Sequence, residues 1–425
     1  EDMTPLFEMI VDKVPSPDVD VDGPLQMQIS ALDYNSYVGV IGVGRITRGT
    51  MKPNEQVVVV GADGKQRKGR VLTVMGYHGL ERVEVEQAQA GDIVCITGIE
   101  GLNISDTICS PSQPEALPAL TVDEPTVSIA FQVNDSPFAG LEGKFVTSRN
   151  INDRLQQELI HNVALKVEQQ DNPDKFTVSG RGELHLSILI ETMRREGFEL
   201  SISRPQVIMK EVDGKVMEPV EEATIDVDDE YSGAVIEKLT GTRKGELAEM
   251  RPAGAGKTRI IAHVPSRGLI GYHGEFLTDT RGTGVLNRVF HGWTEHKGPI
   301  PGRRAGVLIS MENGEAVAYA LWNLEDRGKM FIGAQAKVYQ GMIIGEHSRE
   351  NDLEVNPLKG KKLTNVRASG TDEAVRLTTP VTLSLEEAIA YINDDELVEV
   401  TPNALRLRKR YLDPHERKRA AKKGD

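Results

Sequence analysis

Residues 178–200, with the sequence VSGRGELHLSILIETMRREGFEL, decide how the middle of this chain folds. Their apolar side chains recur at helical spacing: Leu184, Ile188, Leu189 and Met193. Gly197 ends this pattern, as glycine commonly does at the C-terminus of a helix. Runs of strand-forming residues at 175–179 and 198–203 predict a strand on each side of the helix. The stretch therefore predicts a strand–helix–strand unit.

The residues upstream extend this unit into a larger pattern. Residues 126–133 and 164–169 have strand patterns. Between them, apolar residues recur at helical spacing: Ile151, Leu155, Leu159 and Val163. The resulting order βαββαβ is that of a ferredoxin-like α/β sandwich. Because the residues from 217 onward repeat this order, we predict two tandem ferredoxin-like sandwiches, at residues 120–204 and 217–293.

The regions outside the two sandwiches are predicted to be mostly β. Short strands at roughly ten-residue spacing in residues 25–115 favour a small β-barrel, and residues 1–24 are predicted to be a linker. Residues 294–425 form a predicted C-terminal domain, in which apolar runs such as residues 316–321 predict strands. Residues 384–387, SLEE, are a capping box that opens a helix. The predicted fold class is multidomain, β and α+β.

Composition restricts the class of protein. The 425 residues have a formal net charge of −14 and are 39% hydrophobic, which is ordinary for a globular protein. Cys95 and Cys109 lack zinc-type spacing, which favours a reducing, cytoplasmic setting over a disulfide framework. No apolar run approaches ~18 residues, so we expect no membrane contact. The chain begins EDMTPLF without an initiator Met, and we expect that an N-terminal domain is missing.

Residues 356–370, NPLKGKKLTNVRASG, depart most clearly from the acidic balance of the chain. This basic loop contains no acidic residue, and Pro357 and two glycines interrupt regular structure. A local positive patch on an acidic protein favours phosphate recognition, and the alternative is a solvated surface loop. The predicted nucleic-acid contacts in and beside the loop are Lys359, Lys361, Lys362, Arg367 and Arg376.

Two further basic segments are candidate contacts with phosphates. The first is a secondary basic face made of Arg243, Lys244, Arg251, Lys257 and Arg267. The second is a C-terminal basic tail at residues 406–423, beginning with Arg406, Arg408, Lys409 and Arg410. Both stand out because the chain as a whole is acidic, with a pI of about 5.3.

Motifs for catalysis or metal binding are weak throughout the sequence. Residues 251–258, RPAGAGKT, end like a phosphate-binding loop, but Arg251 occupies the position of its first glycine. A glycine-rich turn between two strands is the better account of this stretch. The nine histidines are scattered without the spacing of a metal site. We therefore predict no catalytic residue and no metal site.

Several stretches resemble translation factors. Residues 37–59, YVGVIGVGRITRGTMKPNEQVVV, resemble the second-domain barrel of elongation factors. Residues 124–143, EPTVSIAFQVNDSPFAGLEG, and residues 178–200 resemble domain three of elongation factor G, and residues 217–250 resemble its domain five. Residues 356–377, NPLKGKKLTNVRASGTDEAVRL, are similar to the C-terminal domain of the BipA or TypA family of translational GTPases. The chain resembles a member of that family throughout, although elongation factor G has a long domain four between its two sandwiches.

The resemblance implies the ribosome-binding portion of a translational GTPase. Its expected roles are large-subunit assembly and translation under cold or other stress. Its expected partners are the ribosome, chiefly the large subunit, with rRNA and A-site tRNA, and it is expected to be a monomer. GTP and Mg would belong to the missing domain, so the chain itself should hold no cofactor. Because a true phosphate loop and an Asn-Lys-x-Asp motif are both absent from the sequence, we expect no GTP hydrolysis by this chain alone.

Two alternatives come from other functional classes. One is an enzyme that acts on RNA or a small substrate through a site in residues 263–296, where histidines are densest. The other is a protein-interaction adaptor that docks basic partners on acidic faces without binding RNA.

Overall fold

The structure, a computed structural model, describes residues 2–16, 18–35, 37–120, 124–360 and 376–423. It divides into two compact units. The first comprises Glu1–Asp123 and Leu155–Ala164, and the second comprises Glu124–Arg154 and Leu165–Asp425. In the described part of the chain, no helix combines the length and the apolar composition that a bilayer span requires.

The first unit is built on a sheet of eight antiparallel strands. The unit as a whole has the strands β1 (Gln26–Asn35), β2 (Gly39–Arg48), β3 (Thr50–Met51), β4 (Gln56–Val60), β5 (Gln66–Arg70), β6 (Val74–His78), β7 (Glu81–Glu84), β8 (Ala88–Gln89), β9 (Ile93–Ile96) and β10 (Thr107–Cys109). The sheet order is β5-β4-β10-β1-β2-β9-β6-β7, and β3 pairs with β8 separately. Apolar side chains from most of these strands are buried in a core that includes Met27, Ile29 and Ile46.

The N-terminal segment contains regular structure that we did not predict. Helix α1 (Thr4–Lys13) lies within residues 1–24, which we predicted as a linker. A proline at its start fixes a helical φ angle where no N–H partner is needed. None of its residues is buried.

The stretch from residue 127 to residue 207 has the predicted βαββαβ order. Its elements are β11 (Val127–Gln132), α2 (Ser148–His161), β12 (Lys166–Gln169), β13 (Lys175–Gly180), α3 (Glu183–Glu196), β14 (Leu200–Ser203) and the short β15 (Gln206–Val207). The strand order β12-β13-β11-β14 places the first and third strands of the motif at the centre, as in ferredoxin-like sandwiches. Gly197 has a φ of 99°, so the residue that ends α3 adopts the left-handed conformation that glycine tolerates best.

The second predicted sandwich contains a five-stranded sheet, which we call the second sheet. Its strands are arranged in the same order as those of the first sandwich. Its elements are β16 (Lys210–Val212), β17 (Lys215–Asp228), α4 (Asp229–Glu237), a π-helical turn (Lys238–Thr242), β18 (Glu246–Gly254), β19 (Lys257–Pro265), α5 (Ser266–Leu269), α6 (Tyr272–Asp279) and β20 (Val285–Glu295). The order β16-β17-β19-β18, with β20 paired to β17, again surrounds the first and third strands of the repeat. The helices cover one face of this sheet, where Ile225, Val264 and Phe276 are fully buried.

The described C-terminal residues, 305–360 and 376–423, form strands and three helices. They are β21 (Val307–Ser310), β22 (Gly314–Glu315), α7 (Ala318–Glu325), β23 (Gly328–Met330), β24 (Lys337–Val338), β25 (Met342–His347), β26 (Leu353–Val355), α8 (Leu385–Tyr391), β27 (Glu396–Val400), β28 (Leu405–Lys409) and α9 (Pro414–Lys423). The capping box of α8 is confirmed, because Ser384 and Glu387 each accept a hydrogen bond from the backbone N–H of the other. The strand predicted at residues 316–321 was wrong. Helix α7 begins within this stretch, at Ala318, and Leu321 and Leu324 pack against the C-terminal core at helical spacing.

Strand β27 joins the C-terminal residues to the first sandwich. It pairs antiparallel with β14, with Leu200 opposite Val400 and Ile202 opposite Val398. The result is one sheet of eleven strands, whose main path runs β12-β13-β11-β14-β27-β28-β25-β21-β26. Pairing with β27 satisfies the backbone groups of β14, which would otherwise be an exposed edge. The predicted fold class, multidomain with β and α+β parts, is confirmed.

Candidate nucleic-acid interface

The first end of the predicted basic loop is fixed to the fold. Strand β26 leads directly into it, and the Leu358 side chain packs against the C-terminal core. The Pro357 carbonyl accepts a hydrogen bond of 3.0 Å from the Val317 N–H, the residue before helix α7. Lys359 follows and is exposed. Lys361, Lys362 and Arg367 lie outside the described residues.

The structure describes the chain again from residue 376, beyond the basic loop, and this segment is fixed at the opposite end of the same helix. Glu325, the last residue of α7, accepts hydrogen bonds of 2.7 Å from both the backbone N–H and the hydroxyl of Thr378. Leu377 packs against the same core as Leu358. Arg376, just before it, is exposed. Lys359 in the loop and Arg376 beyond it are therefore both held near α7.

Helix α7 borders a cleft of about 780 Å³, which we name the α7 cleft. Its polar and aromatic lining comprises Tyr319, Asn323, Arg327, Glu354, Asn356 and Lys359. The exposed guanidinium of Arg327 and the ammonium of Lys359 bring positive charge to it. Trp322, on the same helix, is 50% exposed, and its ring centroid lies 6.3 Å from that of Tyr319.

Helix α9 is attached to the rim of this cleft. Its Arg417 donates a hydrogen bond of 2.8 Å to the Glu354 carboxylate, and also donates to the carbonyls of Tyr411 and Leu412. At the start of α9, Asp413 accepts from the backbone N–H groups of Glu416 and His415, and these bonds lower the pKa of the Asp413 carboxyl.

The outer face of α9 presents positive charge. Lys418, Arg419 and Lys422 are exposed and form no ion pair with any residue that the structure describes. The Arg417–Glu354 pair neutralises the one acid among the described residues that line the α7 cleft. The cleft and α9 together are thus an acid-poor surface on an acidic chain, suited to binding a polyanion.

Three of the predicted tail residues lie in a buried strand, which corrects the prediction that they form a tail. Arg406, Arg408 and Lys409 belong to β28. Lys409 is only 2% exposed, and its ammonium lies 2.6 Å from Asp352, 2.8 Å from Asp395 and 2.9 Å from Glu396. A buried cation needs such partners, because burying an unpaired charge costs several kcal/mol.

The other cations of the strand are neutralised in the same way. Arg408, 1% exposed, donates to Asp135 over 2.7 Å. Arg406 forms ion pairs with Glu142 and with the fully buried Glu399. Arg410 follows the strand and is exposed, but its guanidinium donates to the Asp394 carbonyl. The predicted contacts of Arg406, Arg408 and Lys409 with nucleic acid are therefore not compatible with the fold.

The predicted secondary basic face is divided between two places. Arg243 and Arg267 line a common cleft, where Arg243 pairs with Glu275 and Arg267 pairs with the buried Glu218. Arg251 lies on β18 and Lys257 on β19, where their charges lie beside Glu249 and Asp228. Lys244 adopts a left-handed backbone conformation, with a φ of 60°. Since four of these five cations have an acidic neighbour, this face is a weaker candidate than the α7 cleft.

Our sequence-based prediction missed Tyr319, Trp322 and Arg327. They were missed because residues 316–321 were interpreted as a strand. The signal was present, since apolar residues at 317, 320, 321 and 324 recur at helical spacing and leave Trp322 on the opposite side. None of these residues carries a motif that would have identified a site.

Comparison with known proteins gives three matches to family models along the chain. Residues 39–109 match elongation factor Tu domain 2, residues 215–304 match the elongation factor G C-terminus, and residues 305–414 match the TypA/BipA C-terminal domain. A crystal structure of a Thermus thermophilus protein aligns with a TM-score of 0.46 and 18% identity, covering 69% of this chain and 59% of that one.

Curated relatives align over nearly the whole chain. Proteins named large ribosomal subunit assembly factor BipA are 60% identical over 421 residues in Escherichia coli and in Salmonella typhimurium. Each alignment covers 99% of this chain and 69% of the relative. The Buchnera aphidicola protein of the same name is 54% identical, covering 98% of this chain and 69% of its own length. At this identity and coverage, the chain belongs to the BipA family of translation factors.

Proposed function

We propose that this chain is the ribosome-binding portion of a BipA-type translational GTPase that acts in large-subunit assembly. Family membership and the name of the relatives, large ribosomal subunit assembly factor, support this role. In the proposal, the factor is a cytoplasmic monomer that also acts in translation under cold or other stress. GTP and Mg would be held outside these 425 residues, whose sequence has no complete phosphate-loop motif.

Within that role, we propose that the α7 cleft and the outer face of α9 bind RNA of the large subunit, with A-site tRNA as a second partner. One observation carries this assignment. Pro357 at the start of the basic loop and Thr378 beyond it both form hydrogen bonds at helix α7, and Arg417 holds α9 at the rim of the same cleft. Cations that are far apart in sequence therefore share one surface, as contacts with successive phosphates require.

The exposed aromatic residues add a second means of RNA binding to the proposal. Trp322 and Tyr319 lie on α7 beside the cations of the cleft. Unpaired bases stack on such side chains, and each stacked base contributes about 1–3 kcal/mol. Stacking involves no counterion release, so this contribution should not depend on salt in the way that phosphate contacts do.

Binding to purified large ribosomal subunits at several salt concentrations tests the proposal. One variant combines Arg327→Ala with Lys359→Ala, and another combines Lys418→Ala, Arg419→Ala and Lys422→Ala. We expect each to weaken binding and to flatten the log–log dependence on salt by about 0.9 for every phosphate that the variant no longer neutralises. The Trp322→Ala variant should weaken binding with the wild-type salt dependence.

The matched control is Lys244→Ala combined with Arg251→Ala, which removes two cations from the second sheet and its neighbourhood. It should bind as the unmodified chain does. Equal salt slopes for the unmodified chain and both cleft variants would overturn the assignment of RNA binding to this surface. Binding that survives at all salt concentrations and after nuclease treatment would instead favour a protein-interaction adaptor.

A further inference from the structure

Three potential metal ligands meet on the solvent face of the second sheet. Glu222 lies on β17, His263 lies on β19, and His291 lies on β20. Because β17 lies between the other two strands, the three side chains share one face. Glu222 is directly opposite His263 in the strand register. Its neighbour Ala223 points the other way and is fully buried in the core.

The distances among the ligand atoms are close to those of a metal site. The His263 Nε2 lies 3.4 Å from the Glu222 Oε2, and the His291 Nδ1 lies 3.9 Å from the same oxygen. One ligand atom from each of the three residues lies within 4.8 Å of the other two. Ligands about 2.0–2.1 Å from a tetrahedral zinc ion are roughly 3.3 Å apart. One edge of the site therefore already has this length, whereas the other edges are longer and close only when the imidazole rings turn about their side-chain bonds so that both nitrogens face the ion.

The surroundings allow an ion to enter and be held. The side chains of Glu222, His263 and His291 are 43%, 31% and 47% exposed, so the site is open to solvent. The two imidazole rings are stacked, with centroids 3.9 Å apart and an angle of 18° between their planes. Each ring is attached to a different strand, so the sheet places both rings beside Glu222, and their exposure leaves room for them to leave the stacked arrangement and turn towards an ion. Glu246, opposite His263 on β18, adds a second carboxylate nearby, paired with Lys297.

We propose that Glu222, His263 and His291 bind one zinc ion. Two imidazoles and one carboxylate are an established zinc ligand set, and they leave a fourth position for water. The sequence did not reveal the set, because its members are far apart in the chain and only the strand register brings them together. The ion would link β17, β19 and β20, and so stabilise the sheet without changing its topology.

Metal titration of the full chain, with any tag removed and after treatment with a chelator, tests the proposal. Calorimetry with Zn²⁺ should give one ion per chain, and Co²⁺ should give the visible absorption bands of a four-coordinate site. Zn²⁺ should also raise the melting temperature. Each of the variants His263→Ala, His291→Ala and Glu222→Gln should weaken Zn²⁺ binding by at least about 10-fold.

The matched control is His273→Ala, which removes an exposed histidine from α6 beside the same sheet. It should bind Zn²⁺ as the unmodified chain does. Glu222→Gln preserves the shape of the side chain, so it decides the result if a histidine variant unfolds. The proposal is overturned if the unmodified chain binds no stoichiometric metal, if Glu222→Gln binds as tightly as the unmodified chain, or if the Co²⁺ complex shows a thiolate charge-transfer band from the cysteines.

Discussion

Strand β28 and helix α9 are neighbours in the sequence and are both rich in Lys and Arg, but the fold treats their charges in opposite ways. In β28, Lys409 and Arg408 are 2% and 1% exposed and lie against carboxylates. In α9, Lys418 and Lys422 are exposed and have no ionic partner among the described residues. Similar local composition therefore produces a structural ion-pair network in one place and an open cationic surface in the other.

The difference arises from the neighbouring elements. Strand β27 pairs with β28 so that Glu396 is opposite Lys409 and Glu399 is opposite Arg406. Directly opposite residues in an antiparallel pair are close enough for their charges to interact. Helix α9 has no such acidic strand beside it among the described elements, and only Arg417 finds an acid, on β26. The charge of a segment is thus available for binding only where the fold does not supply its counter-charge.

The strongest test of this contrast is the removal of the buried ammonium. The Lys409→Met variant would leave Glu396, which is fully buried, with Arg303 as its remaining cation among the described residues. We expect the free energy of unfolding to fall by about 3–5 kcal/mol, because Glu396 loses one of its two cations and Asp352 and Asp395 also lose the Lys409 ammonium. Urea unfolding followed by circular dichroism measures it. The Lys418→Met variant on α9 is the control, and an equal loss in both would refute the contrast.

Acid should weaken the same network. Burial alone would raise the pKa of Glu396, but the hydrogen bond from Arg303 and the charge of Lys409 lower it below the ordinary value of 4.5. The stability that Glu396 contributes is therefore complete above pH 4.5 and is lost as the pH falls through the lowered pKa.

The alkaline side of the network has the opposite sign. Burial alone would lower the pKa of Lys409, but the charge of Glu396 and the hydrogen bonds to Asp352 and Asp395 raise it above 10.5. The contribution of Lys409 is complete below that value and is lost as the pH rises through the raised pKa.

The acid side of the network is tested by the Glu396→Gln variant. Its melting temperature, measured from pH 3 to 7, should fall less on acidification than that of the unmodified chain. Parallel curves would contradict this.

A smaller effect is expected at the junction of β14 and β27. The Tyr339 hydroxyl donates a hydrogen bond of 2.6 Å to the buried Glu399 Oε2. The other oxygen, Oε1, accepts hydrogen bonds from Asn134, Ser136 and Arg406. The Tyr339→Phe variant leaves Oε2 without this donor and should cost about 1–3 kcal/mol of unfolding free energy. Urea unfolding of Tyr411→Phe, an exposed tyrosine, provides the comparison and should match the unmodified chain.

The smallest effect on stability should come from α9. The variant Lys418→Ala, Arg419→Ala and Lys422→Ala removes exposed cations that have no described ionic partner, so the unfolding free energy should change by no more than about 0.5 kcal/mol. The same variant is expected to weaken binding to large ribosomal subunits. A large loss of stability here would show that these charges are structural, as those of β28 are.

Local sequence predicted much of the fold. The helical spacing from Leu184 to Met193 and the glycine that follows it produced α3, and the two βαββαβ patterns produced sheets with equivalent strand orders. The capping box predicted at residues 384–387 is present at the start of α8. The motifs at residues 37–59 and 356–377 pointed to the family to which the chain belongs. These features depend on residues within one turn, one strand or one short motif.

Tertiary structure decided which charges and ligands lie together. The pairing of β27 with β28 buried cations that we predicted to be exposed, and the pairing of β17 with β19 and β20 brought Glu222, His263 and His291 together. The identity of α7 was also missed, although Pro357 in the basic loop and Thr378 beyond it both form hydrogen bonds at this helix. Strand register joins residues that are distant in the chain, and a shift of one residue would turn each side chain to the other face. For that reason the sequence determined the elements and the family, whereas only the packed sheets determined which of its charges remain available to a partner.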